Sequence, residues 1–243
     1  MASASASAKA TLFYAEARDK YRMKCNNSEV NAIARKGQHY VPFFVSPEHL
    51  QRLNIQIFKI GLLNGADIVI LHSSADNGYP HTRPNAIVCL PESFVTSSSD
   101  EALYEMLCHE AMHIHQRKFP DLWKQKCINE GWTPISVEEI PQRFRDQCRI
   151  NPDTMACPFW AWNTHHVPLP MFKSSSPTCL GDVRIEWFDR RTGAIFHEPP
   201  SSFTEKYGSP SQPEHPYEIY AVIYANEGIN SYSSLYEKLV SSS

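Results

Sequence analysis

An α+β fold is predicted for this chain of 243 residues by three observations. Capped, periodic helical segments occur over about 47–63, 101–118 and 217–226. Short β-branched runs bounded by turn residues occur at 67–71 and 85–90. The composition, 42% hydrophobic and 20% charged, is that of an ordinary globular chain and not of a disordered one.

The elements follow in chain order. Residues 1–10 are an Ala/Ser repeat and read as a disordered tail, without the apolar core of a secretion signal. Ser46-Pro47 supplies an N-cap and a first helical residue. Leu50, Leu53, Ile57 and Ile60 then recur at helical spacing, and Asn64-Gly65 stops the run. Asp67–Leu71 reads as a buried strand, and 72–84 is polar and turn-rich. Asn85–Leu90 is a second strand, ended by Pro91. Ser97–Asp100 caps the next helix, with Ser98 and Glu101 at capping-box spacing. That helix runs to Lys118, and a shorter one covers 121–129. The stretch 132–213 is rich in Pro, Ser and aromatic residues, with short strands at 183–188 and 194–196. A last clear helix covers 217–226. No linker divides the chain, so 11–243 reads as one domain with a Pro/aromatic-rich insertion at about 132–213.

Composition narrows the function. The chain has 18 Pro but only 9 Gly, and neither GxGxxG nor GxxxxGK[ST] occurs, which speaks against phosphate-cradling loops. The net charge is −3 and no basic block occurs, so no nucleic-acid partner is expected. No run approaches 18 apolar residues, so no membrane span is expected, and an intracellular, cytoplasmic location follows as an expectation. The seven cysteines are odd in number and form no CxxC pair. They are expected to be free thiols that pack as small hydrophobes.

The chemistry lies in His109-Glu110-Ala111-Met112-His113. Residues four apart share one helix face. Two imidazoles at that spacing bind one metal ion at about 2.0–2.1 Å. Glu110 lies about 100° round the helix from His109, within reach of a water on that metal. With 11 His in 243 residues, chance supplies about 0.03 such motifs. Leu107, Ala111, Met112 and Ile114 around the motif are uncharged, as a buried metal-binding helix requires.

This HExxH helix, with the helix–strand–strand order that precedes it over about 46–118, resembles the zincin metallopeptidases. The resemblance implies a single Zn²⁺ and a small mixed sheet whose edge strand lines the substrate cleft. Asn85–Leu90 would be that edge, to which an extended peptide adds by main-chain hydrogen bonds. It also implies a third protein ligand. Gln116 stands where the metzincin pattern needs glycine, which leaves the gluzincin pattern, with a distant glutamate. Glu218, in the first turn of the 217–226 helix, is favoured over Glu130, which falls at a helix end directly before Gly131.

The metal ligands are thus expected to be His109, His113 and Glu218, and Glu110 the general base. His115 points away from the pair and reads as a surface or packing residue. His165-His166 read as loop residues, and Asn151–Thr154 as a turn that also helps hold the cleft. Phe159, Trp160 and Trp162 read as core. His215, Tyr217 and Tyr220 are candidates to stabilise an oxyanion. The expected activity is zinc-dependent hydrolysis of a peptide bond in a peptide or protein substrate, with the loops of 132–213 as lid and specificity elements. The alternatives are hydrolysis of another amide or an ester at the same metal, and a zinc-binding interaction or structural protein that does not cleave.

Overall fold

A computed structural model describes residues 2–240 of the chain. It is α+β, with eleven helices and two small sheets among the described residues.

The N-terminal segment differs from the sequence expectation. Ala2–Asp19 form helix α1, so residues read as a disordered tail are helical; Met1 lies outside the described residues. Alanine favours the helix intrinsically. Tertiary contacts then hold its C-terminal half. Leu12 and Ala15 are buried, and the carboxylates of Glu16 and Asp19 accept hydrogen bonds from Arg83 at 2.8 and 2.6 Å. Two short helices follow, α2 (Tyr21–Asn27) and α3 (Glu29–Ala34). Helix α4 (Pro47–Phe58) begins at the expected cap, where the Ser46 side chain accepts from the His49 N–H. It stops earlier than expected because Ile60 is extended; Gly61–Leu63 form a separate 3₁₀ turn.

The first sheet contains β1 (Asp67–Leu71), β2 (His81–Arg83) and β3 (Ile87–Pro91). Its order is β1-β3-β2; β1 runs parallel to β3 and β2 antiparallel, so the sheet is mixed. The strand expected at the edge, 85–90, corresponds to β3 and lies in the centre. The edges are β1 and β2, and β2 lies inside the segment read as a loop. Asn85 and Ala86, at φ 67° and 56°, form the tight turn between β2 and β3.

Helix α5 (Glu92–Ser97) leads into α6 (Asp100–Lys118), which carries the HExxH residues. Its N-cap is Ser99, one residue past the Ser98 box, accepting from the Ala102 N–H at 3.1 Å. Helix α7 (Pro120–Asn129) follows.

The Pro/aromatic-rich stretch is an antiparallel meander. Strands β4 (Trp132–Pro134), β5 (Trp160–Trp162), β6 (His166–Phe172), β7 (Val183–Asp189) and β8 (Ile195–Phe196) pair in chain order. Helix α8 (Gln142–Arg145) interrupts it, and α9 (Ser201–Tyr207), α10 (Pro216–Asn226) and α11 (Tyr232–Val240) complete the described chain. Residues read as loop at His166 therefore begin a strand.

The largest apolar cluster joins these parts. Leu103, Leu107 and Ala111 of α6 and Ile219 and Ala221 of α10 belong to it. So do Trp123 and the sheet tryptophans Trp132, Trp160, Trp162 and Trp187. Phe159, Trp160 and Trp162 are buried, as core residues should be. All seven cysteines are free and five are buried. Among the described residues, no helix is long and apolar enough to cross a membrane.

One buried ion pair ties the helical N-terminal region to the rest. Arg35 donates from Nε to Asp76 Oδ1 at 3.0 Å and from Nη1 to Asn31 Oδ1 at 2.9 Å. Its Nη2 reaches Tyr21 Oη and the Ile150 carbonyl, both at 2.9 Å. Asp76 holds a left-handed backbone (φ 45°) to make this contact. Replacing Arg35 by Met leaves a buried carboxylate without its main partner. Urea denaturation of Arg35→Met is expected to show a loss of about 3–5 kcal/mol; an unchanged midpoint would remove this pair from the account.

Candidate metal centre

Helices α6 and α10 run antiparallel: Gln116, near the end of α6, donates to the Tyr217 carbonyl at the start of α10, and Tyr104, near the start of α6, accepts from Asn230, just past the end of α10. Leu103, Leu107 and Ala111 on one, and Ile219 and Ala221 on the other, bury the shared seam. This packing brings three side chains together. The Nε2 atoms of His109 and His113 lie 3.0 Å apart. Glu218 Oε2 lies 3.3 Å from His109 Nε2 and 3.2 Å from His113 Nε2. Two nitrogens and one oxygen thus form a nearly equilateral triangle. Ligands at about 2.0–2.1 Å in a tetrahedron lie about 3.3 Å apart, so the triangle fits one ion with the fourth corner open. Among the described residues, this is the one group of three or more His, Cys, Asp or Glu side chains that can hold a metal ion.

Two of the three donors, His113 and Glu218, are oriented by a further residue. Gln116 donates from Nε2 to the Tyr217 carbonyl at 3.0 Å, which leaves its Oε1 facing His113 Nδ1 at 2.7 Å. His113 therefore donates from Nδ1, which leaves Nε2 as the nitrogen that faces the triangle. Glu218 occupies the first turn of α10. That helix starts at Pro216 and is capped by His215 Nδ1, which accepts from the Tyr217 N–H at 3.1 Å. Asn151 donates to Glu218 Oε1 at 2.7 Å, turning Oε2 towards the histidines. The 151–154 turn thus reaches the centre. Gln116 and Asn151 carried no signal in the sequence beyond a missing glycine and a turn.

Charge is tightly confined here. Burial alone would lower the His113 imidazole, but the Glu218 and Asp153 carboxylates outweigh it and hold it up at about 10. Burial likewise opposes ionisation of Glu218, yet His113 and His109 hold its carboxyl well below the usual carboxylate range. Glu110 is 3% exposed and its Oε2 has no hydrogen-bond partner. Burial, reinforced by Asp153, pushes its carboxyl well above the usual range. A buried carboxylate oxygen without a partner in the chain, beside the donor triangle, is placed to meet a group from solution.

The centre opens into a cavity of about 830 Å³. His109, Glu110 and Glu218 line it, together with Asp153 and Arg149. His215, Tyr217 and Tyr220 do not line it. Both ring nitrogens of His215 are used, Nδ1 in the cap and Nε2 on the Cys157 carbonyl at 2.9 Å. Burial holds that ring down at about 4, hence neutral. Tyr217 packs edge-on against Trp123 and tilted against Trp160, and the Tyr220 hydroxyl lies 3.2 Å from the Tyr207 hydroxyl. These three side chains belong to the core and the cap, so the expected oxyanion donors are not among the cavity's walls.

The remaining candidates are placed elsewhere. Glu130 ends α7, paired with Lys126 at 2.7 Å and with Lys206, and is not part of the triangle. His115 is buried and accepts from Trp123 Nε1 at 2.9 Å, a packing role. The β2 edge of the sheet is closed. Thr82, central in β2, turns its main-chain groups away from β3; its N–H donates to Asp153 Oδ1 at 2.7 Å and its carbonyl accepts from Arg117 Nη2 at 3.2 Å.

Comparisons with protein-family models, with curated proteins and with solved structures give no match to this chain.

The orienting contacts make a direct prediction. Gln116→Ala and Asn151→Ala should each weaken zinc binding by about 10–100-fold in a chelator competition, with helicity by circular dichroism unchanged. Wild-type affinity in both variants would mean that the triangle needs no orienting contacts.

Proposed function

We propose that the chain is a zinc-dependent hydrolase of the zincin type that cleaves peptide bonds, with His109, His113 and Glu218 as metal ligands. One observation carries this reading: the 3.0–3.3 Å triangle of donor atoms sits beside the unpartnered, buried Glu110 carboxylate in the wall of a cavity. A structural zinc site is closed by four protein ligands and has no use for such a carboxylate. The α+β architecture with its mixed sheet supports the same reading.

The donor set fits zinc. Two imidazoles and one carboxylate are borderline and hard ligands, and all seven thiols lie outside the triangle. A zinc ion held there supplies a Lewis acid that polarises a carbonyl and lowers the pKa of a bound water towards about 7.

The chain's own residues do the rest. Glu110, one residue on from His109, faces the cavity and takes the proton of the attacking water. Burial raises the proton affinity of its carboxyl above that of an exposed one. The same carboxyl then returns the proton to the leaving amine as the C–N bond breaks. Asn151 and Gln116 hold Glu218 and His113 in place throughout.

Glu110→Gln should retain one zinc per chain and lose peptide hydrolysis by about 10²–10⁴-fold. His109→Ala should lose both metal and activity. Elemental analysis and a peptide-library digest read the two quantities separately. Full hydrolysis by Glu110→Gln would remove the general-base role.

A further inference from the structure

We propose that the substrate carries a positively charged amino group, held where Asp76 and Asp153 line the cavity beside His81. That this ligand is a substrate rests on the hydrolase reading above; the amine site itself needs neither metal nor turnover.

The wall has no arginine to spare for an anion. Its three arginines are each paired with a carboxylate: Arg35 with Asp76, Arg149 with Glu214 and Arg184 with Glu186. Arg35, beside the site, has no donor left for a ligand. Its five N–H groups go to Asp76 Oδ1, the Asn31 carbonyl and Oδ1, Tyr21 Oη and the Ile150 carbonyl.

Asp76 is 3% exposed, yet only one of its oxygens is satisfied. Oδ1 accepts from Arg35 Nε at 3.0 Å and from Arg22 Nη1 at 3.3 Å. Oδ2 is buried without a hydrogen-bond partner in the chain. His81 does not supply one. Its Nε2 stands 3.8 Å from Oδ2 and is engaged with Tyr40 Oη at 2.8 Å, and its Nδ1 faces the Tyr79 carbonyl at 3.3 Å. A buried carboxylate oxygen in a cavity wall, with no donor from the chain, calls for a donor from a ligand.

Asp153 is the second carboxylate. Its Oδ1 accepts from the Thr82 N–H at 2.7 Å and from the Thr82 hydroxyl, and Arg117 Nη2 stands 3.9 Å off, beyond hydrogen-bond reach. Its place follows from the groups it influences. Burial holds the His81 imidazole below its ordinary value, while Asp76 and Asp153 both pull it up. Burial is also the largest influence on Glu110 and His113, and Asp153 raises both of them. Asp153 thus stands between the metal centre and the wall formed by His81 and Asp76. A peptide with its scissile bond at the metal can place an amino group there.

The free acceptors choose between cations. A guanidinium is best met by both oxygens of one carboxylate. Asp76 and Asp153 each have one oxygen already taken, so two separate acceptors remain. A primary ammonium gathers three donors on one compact charge and can meet separate acceptors. Such a group is the N-terminus of a peptide or the side chain of a lysine.

Titration of n-butylamine into the nitrogen-15-labelled protein tests the site directly, at neutral pH where the amine is charged. The backbone amides of residues 76–82 and 151–153 should shift saturably at millimolar amine, and n-butanol should leave them in place. Asp76→Asn, which keeps an oxygen for Arg35, should weaken the amine about 10–100-fold with the remaining resonances preserved. Equal response to butanol, no response to the amine, or unchanged affinity in a folded Asp76→Asn would overturn the proposal; the butanol comparison holds even if that variant does not fold. Peptide libraries on the zinc-loaded protein then identify the source. Acetylating either the N-termini or the lysines should slow hydrolysis about 10–100-fold, and whichever acts names the group. Equal cleavage of free and fully acetylated libraries overturns the substrate role. A protein that holds zinc but cleaves neither library overturns the hydrolase reading, while the amine titration still decides the site.

Discussion

The structure depends on a buried carboxylate placed against two imidazoles. The Glu218 side chain is 2% exposed, and taking such a charge out of water costs several kcal/mol unless positive charge and hydrogen bonds compensate. Everything around it supplies that compensation. His109 and His113 face Oε2, Asn151 holds Oε1, and the N-terminal turn of α10 favours an acid at this position. The constraint then passes outward. Asn151 follows Ile150, whose carbonyl is held by Arg35, and Arg35 is held by Asp76. A chain of polar contacts thus runs from the N-terminal helices to the metal centre.

This explains why a long, irregular stretch separates the two ligand-bearing helices. Residues 132–213 form a meander whose tryptophans pack into the same apolar cluster as α6 and α10. The turn at 151–154 leaves that region to touch Glu218 on one side and Thr82 on the other. The insertion therefore returns the chain to the centre, orients a ligand and closes the β2 edge of the sheet. Its prolines suit connections held in extended and turn shapes.

What was legible in the sequence was local. His109, Glu110 and His113 lie within one and a half turns, so helix geometry alone places them together. The helix of Glu218 was legible from Pro216 and its apolar residues. Its place beside the histidines was expected only through the resemblance to a distant-glutamate pattern, since tertiary packing of α6 on α10 decides it. Gln116 and Asn151 act across 101 and 67 residues, a range at which residue type alone carries no signal. Strand β2 was hidden by its three polar or charged residues between Pro80 and Pro84. Its burial comes from partners, namely Tyr40 on His81, Asp153 on Thr82, and Asp19 on Arg83. The N-terminal helix was hidden for a similar reason: Ser-rich composition reads as tail until Arg83 is seen to hold Glu16 and Asp19.

The most direct test of the account is X-ray absorption at the zinc edge of the purified, zinc-loaded protein. The account predicts one zinc per chain, with nitrogen and oxygen ligands at about 2.0–2.1 Å, two of them imidazoles, and no sulfur shell. Loss of the zinc signal in Glu218→Ala would complete that result. A sulfur shell at about 2.3 Å, or a protein that holds no zinc, would contradict it.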